Sequence, residues 1–271
     1  MLYRADLHCH STYSDGCYHP IELLRLAHQQ KISAISITDH DTLDGYQEEV
    51  IKEAKRLGVD LFVGVELSAS FQQRTIHVLG YGVKKTAPLL RLCAENQKNR
   101  NERNQHILAN LSQRSLPISM EELDRHGGEG VIGRFHIAEM MVKKGYVAHV
   151  KQAFDHYLGE GKCCFEQGEM FPIQEVIESI HQVNGRAFLA HPHLIYPRRL
   201  LSQLYRLNFD GMECYYALLT PLQKARWVKV AKSRNWLISG GSDFHGPATS
   251  RRHLGCSWVD RQEVEKIFHL S

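Results

Sequence analysis

No stretch of the 271-residue chain approaches the roughly 20 consecutive apolar residues of a membrane span. At the N-terminus, Arg4 and Asp6 arrive too early to leave room for the apolar core of a secretory leader. Cysteine is sparse and odd in number: seven, at positions 9, 17, 93, 163, 164, 214 and 256, with no C-x-x-C pair. That argues against a zinc ribbon and against a disulfide framework, and a reducing cytoplasm is expected. Charge of one sign is lacking too. The formal net charge of +3, from 33 Lys+Arg and 30 Asp+Glu, is too small for bulk wrapping of nucleic acid. There is no internal repeat and no low-complexity linker. What is there is an ordinary globular composition, 43% hydrophobic and 23% charged, which excludes wholesale disorder. Histidine stands out: 17 residues, against 10 Phe and 11 Tyr.

Strand-like and helix-like segments alternate along the chain. Leu2–Leu7, Ile32–Ile37, Asp60–Val65, Arg74–Tyr81, Arg186–Ala190, Asp210–Cys214, Trp236–Ser239 and Leu254–Val259 read as strands. Arg74–Tyr81 can pair with Leu67–Gln72 across a polar turn. Between them lie helical patterns at Ile21–Gln30, opened by Pro20, and at Tyr46–Leu57, closed by Gly58. Further helices are predicted at Ile173–Val183, Arg199–Leu207, Pro221–Arg234 and Arg261–Phe268. Such alternation predicts a parallel sheet or barrel, and the length suits a single α/β barrel of about 200–250 residues plus an addition. The addition is the polar, helical stretch at 99–165, broken by Gly127-Gly128, Gly130 and Gly133. It predicts an insertion covering the active site, with 1–98 and 166–271 forming the barrel.

The ionisable residues cluster just past predicted strand ends. The first strand ends in Asp6-Leu7-His8-Cys9-His10-Ser11, the second runs into Thr38-Asp39-His40-Asp41, and the third ends in Glu66. His77 lies on the fourth, His191-Pro192-His193 follows Ala190, and Ser242-Asp243-Phe244-His245 follows Ser239. Alternate side chains of a strand share a face, so His8 and His10 project together while Cys9 points away. Asp15 sits in a turn that can fold back over the same strand end. Asp39 reads best as a helix cap, and Asp41 either caps a helix or orients a ligand. In α/β barrels the active site is built at the C-terminal face. Mixed His, Asp and Glu suit first-row divalent metals, and nine such groups exceed the needs of one ion. Two or three divalent ions, of Mn, Fe or Zn, are expected.

These motifs, with Gly64-Val65-Glu66 and His77-Val78-Leu79-Gly80-Tyr81, resemble those of the PHP (polymerase and histidinol phosphatase) metallophosphoesterases over nearly the whole chain. The resemblance implies a distorted (β/α)7, TIM-like barrel with a helical insertion and three metal ions. His8, His10, Glu66 and Asp243 would hold one ion. Glu66 would bridge to a second, held by His77 and His191, and Asp15, His40 and His245 would hold the third. Within the family the insertion points to the nucleotide and oligoribonucleotide phosphatases related to the tryptophan-operon-linked PHP protein. Arg134-Phe135-His136 resembles an Arg-x-His motif in those relatives, which makes Arg134 and His136 candidate substrate-binding residues; where the relatives often carry a second arginine, this chain has Glu139.

The expected activity is hydrolysis of phosphate monoesters, of 3′,5′-nucleoside bisphosphates or AMP-like nucleotides and of short RNA 5′ ends. A hydroxide shared by the Glu66-linked ions would attack, with Glu66, Asp243 and Asp41 as the catalytic carboxylates. From 98 to 162 the chain carries 10 Lys+Arg and 8 Asp+Glu and no aromatic-glycine platform, so a mononucleotide or short oligoribonucleotide fits better than a long nucleic acid. His193, Arg198 and Arg199 read as solvated surface, and Cys163-Cys164 as a buried apolar pair. The alternatives are a small-metabolite phosphatase, such as one acting on histidinol phosphate, and a non-catalytic metal-binding module. A proofreading module is disfavoured because no polymerase domain follows.

Overall fold

Seven strands form one sheet in chain order in the computed structural model, which describes residues 2–127, 130–247 and 253–270. Gly128 of the glycine-rich break lies outside the described residues. The strands are β1 (Ala5–Cys9), β2 (Ala34–Ile37), β3 (Asp60–Ser70), β4 (Thr75–Tyr81), β5 (Arg186–Leu189), β6 (Gly211–Tyr216) and β7 (Leu237–Gly241). β1, β2 and β3 are parallel, as are β5, β6 and β7. β4 is antiparallel to both its neighbours, and its pairing with β3 is the one expected across the polar turn. The reason is local: only the short turn after Ser70 separates β3 from β4, too little chain for a parallel crossover, so the two form a hairpin paired Ser70↔Thr75.

The sheet nearly closes on itself. The Asp243 N–H donates to the His8 carbonyl (2.7 Å), and the His10 N–H to that of Phe244 (2.9 Å). Gly241 permits this approach, because a Cβ there would stand 2.4 Å from the His8 nitrogen. The expected strand Leu254–Val259 is reduced to a single antiparallel bridge between Ala5 and Val259.

Helices α1 (Pro20–Gln29) and α2 (Glu48–Leu57) cover β1–β3. α1 starts where it does because the His19 side chain accepts from the Ile21 N–H while Glu22 reaches back to the His19 N–H. α2 starts two residues later than expected, and its N-cap, Gln47, makes no side-chain cap bond. Tyr46 is drawn off instead: its hydroxyl donates to the Ile37 and Phe62 carbonyls (2.7 and 2.9 Å), clamping β2 to β3.

After β4, α3 (Ala87–Ser112) runs unbroken through the residue 98/99 boundary expected from sequence. It leads to α4 (Met120–Gly127), α5 (Arg134–Lys143), α6 (Val150–Ala153) and a π-helical turn at Phe154–Leu158. These elements enclose an apolar core of their own, including Ile107, Leu111, Leu123, Ile137, Met141 and Leu158. The chain returns through α7 (Ile173–Gln182), α8 (Arg199–Leu204), α9 (Pro221–Lys232) and α10 (Arg261–Phe268). Among the described residues no helix is long and apolar enough to cross a membrane.

Candidate metal centre

Glu66, near the middle of β3, is the hub. One carboxylate oxygen, Oε1, lies 2.9 Å from His77 Nδ1 and 2.9 Å from His191 Nε2. The other, Oε2, lies 3.3 Å from His8 Nε2, 3.2 Å from His10 Nε2 and 3.4 Å from His40 Nδ1. Asp243 Oδ1 faces the same pair from the opposite strand, 3.3 Å from His8 Nε2 and 3.2 Å from His10 Nε2. Asp15 closes the far side: Oδ1 is 3.3 Å from His245 Nε2, and Oδ2 is 3.8 Å from His40 Nε2. All nine residues singled out in the sequence thus meet at one rim of the barrel, most of them past the carboxyl ends of parallel strands, Glu66 within β3 and His77 near the amino end of antiparallel β4. Cys9 turns away, as its parity requires, and donates to the Ser36 carbonyl.

The spacing suits cations better than protons. Two ligand atoms each about 2.1 Å from one ion stand roughly 3.0–3.5 Å apart, and the contacts to Glu66 Oε2 and Asp243 Oδ1 fall in that range. Among the described residues His10 Nε2, His40 Nδ1 and His191 Nδ1 are buried with no hydrogen-bond partner, which would be costly if nothing else bound them. The donor atoms fall into three overlapping groups: His10, Asp15, His40 and His245; His8, His10, Glu66 and Asp243; and His40, Glu66 and His77. His10 and His40 are shared between groups, and His191 enters through Glu66 Oε1.

Electrostatics within the cluster are strongly coupled. Burial pulls the imidazole of His8 down, but Glu213, Glu66 and Asp243 outweigh it and hold it well above its ordinary range. His10 is likewise pushed up to about 10, its burial outweighed by Asp243 and Glu66. For His40 burial wins, and its pKa falls well below the usual value. Burial would raise Glu66 and Asp15, yet the surrounding imidazoles hold both well below the carboxylate range.

A second layer holds these side chains in place. The sequence reading missed Glu213 on β6, whose Oε1 lies 2.9 Å from His8 Nδ1 and whose Oε2 accepts from the His191 N–H (2.8 Å). A carboxylate behind a ligand imidazole fixes its tautomer and orientation. The one signal for it was a lone acid within an otherwise apolar strand, Gly211–Tyr216. Tyr216 donates its hydroxyl to Asp243 Oδ2 (2.7 Å).

Asp39 caps no helix. It accepts from the Ser11 N–H (2.7 Å), Ser11 Oγ (2.6 Å) and Ser14 Oγ (2.7 Å), and so pins the turn that carries Asp15. Gly16 completes that turn, since a Cβ there would stand 2.2 Å from the His10 carbonyl oxygen. Asp41 caps no helix either, and its hydrogen bonds do not go to His40. It accepts from Ser68 N–H and Oγ (2.8 Å each), Asn96 Nδ2 (2.8 Å) and Arg100 (2.7 Å), tying α3 to β3. Asp41, His191 and Asp243 all have positive φ (53°, 27° and 50°), a strain that collects at functional sites.

A cleft of about 130 Å³ opens beside this ring, and its walls include His77, His191, Arg134, Arg74, Leu194 and Tyr196. Arg134, the first residue of α5, lies 5.2 Å from the centre of the Phe165 ring. Burial and Arg100 lower its pKa to about 10, and among the described residues it forms no ion pair. His136 does not line this cleft; it is buried, and its Nδ1 accepts from the Gly133 N–H (3.1 Å) at the start of α5. Arg198 and Arg199 are exposed, and His193 is half-buried. Cys164 is buried but Cys163 is exposed, so they are not the buried pair expected; neither is in a disulfide.

The chain matches the PHP domain family over residues 6–225. It is 34% identical over 266 residues to a 5′-3′ exoribonuclease of Haemophilus influenzae, covering 96% of this chain and 93% of that one. It is 28% identical to a 3′,5′-nucleoside bisphosphate phosphatase of Chromobacterium violaceum, covering 92% of this chain and 90% of that one. Among solved structures, one from Bifidobacterium adolescentis, described as a metal-dependent phosphoesterase, superposes with a TM-score of 0.88 at 25% identity, covering 98% of this chain and 95% of that one.

Proposed function

This chain belongs to the PHP domain family, and from that premise we propose that it is a metal-dependent phosphoesterase acting on nucleotides. Its substrates are phosphate monoesters of the 3′,5′-nucleoside bisphosphate or AMP type and the 5′ ends of short RNA. The observation that carries this reading is Glu66, whose two oxygens face two different sets of imidazoles, as a bridging ligand must. We assign His8, His10, Glu66 and Asp243 to one ion, His77 and His191 with Glu66 to a second, and Asp15, His40 and His245 to a third. Mn, Fe and Zn all suit this donor set. Divalent ions held there supply a nucleophile at neutral pH and offset the phosphate charge.

The protein's own groups do the rest. Arg134 presents a planar, two-pronged donor to phosphate oxygens in the cleft next to His77 and His191. Glu66 and Asp243 are the catalytic carboxylates, and Glu213 and Tyr216 keep His8 and Asp243 aimed. Asp41 is a positioning residue, acting through Ser68 of β3 and through α3. His136 supports Arg134 by closing the first turn of α5. Residues 99–165 act as a lid that keeps water from the site. The basis is contact: the Val131 N–H donates to the Tyr13 carbonyl (3.0 Å), and Phe135 packs against His245 with ring centres 5.6 Å apart.

The test is hydrolysis by metal-loaded protein of adenosine 3′,5′-bisphosphate, a short 5′-phosphorylated RNA and histidinol phosphate. Turnover of the first two is expected. Turnover of histidinol phosphate alone would overturn the substrate class, and turnover of none would overturn the enzymatic reading.

A further inference from the structure

Elsewhere on the surface about half of the exposed lysines and arginines pair with a carboxylate, among them Lys52 with Glu48, Arg25 and Arg56 with Glu53, Lys144 with Glu122, and Arg261 with Glu265. One face departs from this pattern. Between residues 192 and 242 the chain has eight Lys+Arg and two Asp+Glu. Both acids are spoken for, Asp210 by His181 (2.8 Å) and Arg186 (3.4 Å), and Glu213 by His8 beneath the metal ligands. Arg198, Arg199, Arg226, Lys229, Lys232 and Arg234 are all exposed, and none forms an ion pair among the described residues.

This face is continuous with the cleft. Tyr196, 58% exposed, lines the cleft next to His191. The Arg198 guanidinium sits 4.5 Å from the centre of the Tyr196 ring and 5.7 Å from that of Trp227 on α9. α9 follows the loop at the carboxyl end of β6, so it starts at the rim and runs away from it for about 18 Å, carrying Arg226, Lys229 and Lys232 along its length. Uncompensated like charges repel one another, and a flexible polyanion relieves them by releasing its own counterions. A ligand confined to a cleft of about 130 Å³ would never reach α9. A positive track with an exposed aromatic at its mouth is the arrangement that holds single-stranded nucleic acid without reading its sequence.

We propose that the α8–α9 face is a docking track for the phosphodiester backbone of a short single-stranded RNA whose terminal phosphate occupies the cleft. The proposal rests on the phosphoesterase reading and selects, within it, a chain of nucleotides over a free mononucleotide. The experiment measures binding separately from turnover. Metal-loaded wild type and an Arg226→Gln/Lys229→Gln/Lys232→Gln variant are titrated, by fluorescence anisotropy, with phosphorothioate-linked RNA of about ten nucleotides across a salt series. Adenosine 3′,5′-bisphosphate serves as the competitor that reports the cleft alone. The variant is expected to bind RNA at least about tenfold more weakly at low salt, with the slope of log affinity against log salt reduced by about 2. Its affinity for the bisphosphate stays unchanged, and a charge-preserving R226K/K229R/K232R variant behaves as wild type. An unchanged slope, or wild-type RNA affinity no greater than that for the bisphosphate, overturns the track. So does equal competition by an acidic peptide, which would mark the face as a protein contact. Turnover assayed in parallel decides the phosphoesterase reading independently of these outcomes.

Discussion

Asp41, just past β2, and Glu66, within the neighbouring β3, are both buried carboxylates, and their surroundings are opposite in kind. Asp41 is met by a backbone N–H, a hydroxyl, an amide and the fixed charge of Arg100, each within 2.8 Å. Burial pushes its pKa up, but Arg100 and the Ser68 N–H more than offset this and hold it below the ordinary value. Among the described residues Glu66 is met by five imidazoles and no permanent cation, while nearby ring nitrogens lack partners. Burial of charge therefore does not mark a binding site. What marks one is a buried charge whose partners are themselves left incomplete, so that a ligand finishes the set. By that standard the Asp41 seam is internal bracing and the Glu66 ring is the candidate receptor.

The sharpest way to break this comparison is to remove the cation from the seam. Arg100→Met strands Asp41 as an unpaired buried carboxylate and should lower the free energy of unfolding by about 3–5 kcal/mol, read by urea denaturation. A loss below about 1 kcal/mol, the scale of an exposed pair, would show that the seam is not bracing. Next in size, Glu66→Gln should reduce kcat/KM at least about a hundredfold, beyond the 10–100-fold typical of residues behind the ligands, with a smaller effect on unfolding than Arg100→Met. Equal damage to stability and activity would erase the distinction between the two carboxylates. Glu213→Gln should weaken metal affinity by about 10–100-fold, measured by competition with a chelator, because His8 loses its orienting partner. An unaltered affinity would make Glu213 a mere occupant of the core. Smallest is Arg134→Ala, which should raise KM about tenfold, the loss of one charge-assisted contact, with kcat less affected. A KM equal to wild type would remove Arg134 from the cleft's chemistry.

Much of the ring was legible because strand geometry is legible. A period of two forces His8 and His10 to one side and Cys9 to the other, and the remaining ligands lie close to strand ends where few purely structural reasons place His and Asp together. The β3–β4 pairing followed from the short polar turn. The second layer was less visible. Glu213 sits within a strand rather than past its end, so a search of strand termini passes over it. On α3, Asn96, Arg100, Arg103 and Asn104 recur at helical spacing but are polar, a pattern that ordinarily marks a solvent face; here all four are buried. Pattern alone cannot show that for Asn96 and Arg100 the missing solvent is replaced by Ser68 of β3, about 30 residues back, and by Asp41, more than 50 residues back. Asp39 failed as a cap for a related reason: its donors are the two serines of the turn it pins, a tertiary choice among hydroxyls that local propensity does not distinguish.

Metal stoichiometry tests the convergence of the nine ligands most directly. Wild type and Glu66→Gln would each be saturated with Mn or Zn, desalted and analysed by mass spectrometry for ions per chain. A ring hinged on Glu66 predicts at least two ions retained by wild type and no more than one by the variant. A wild-type protein that emerges empty, or a variant that keeps the full complement, would contradict it.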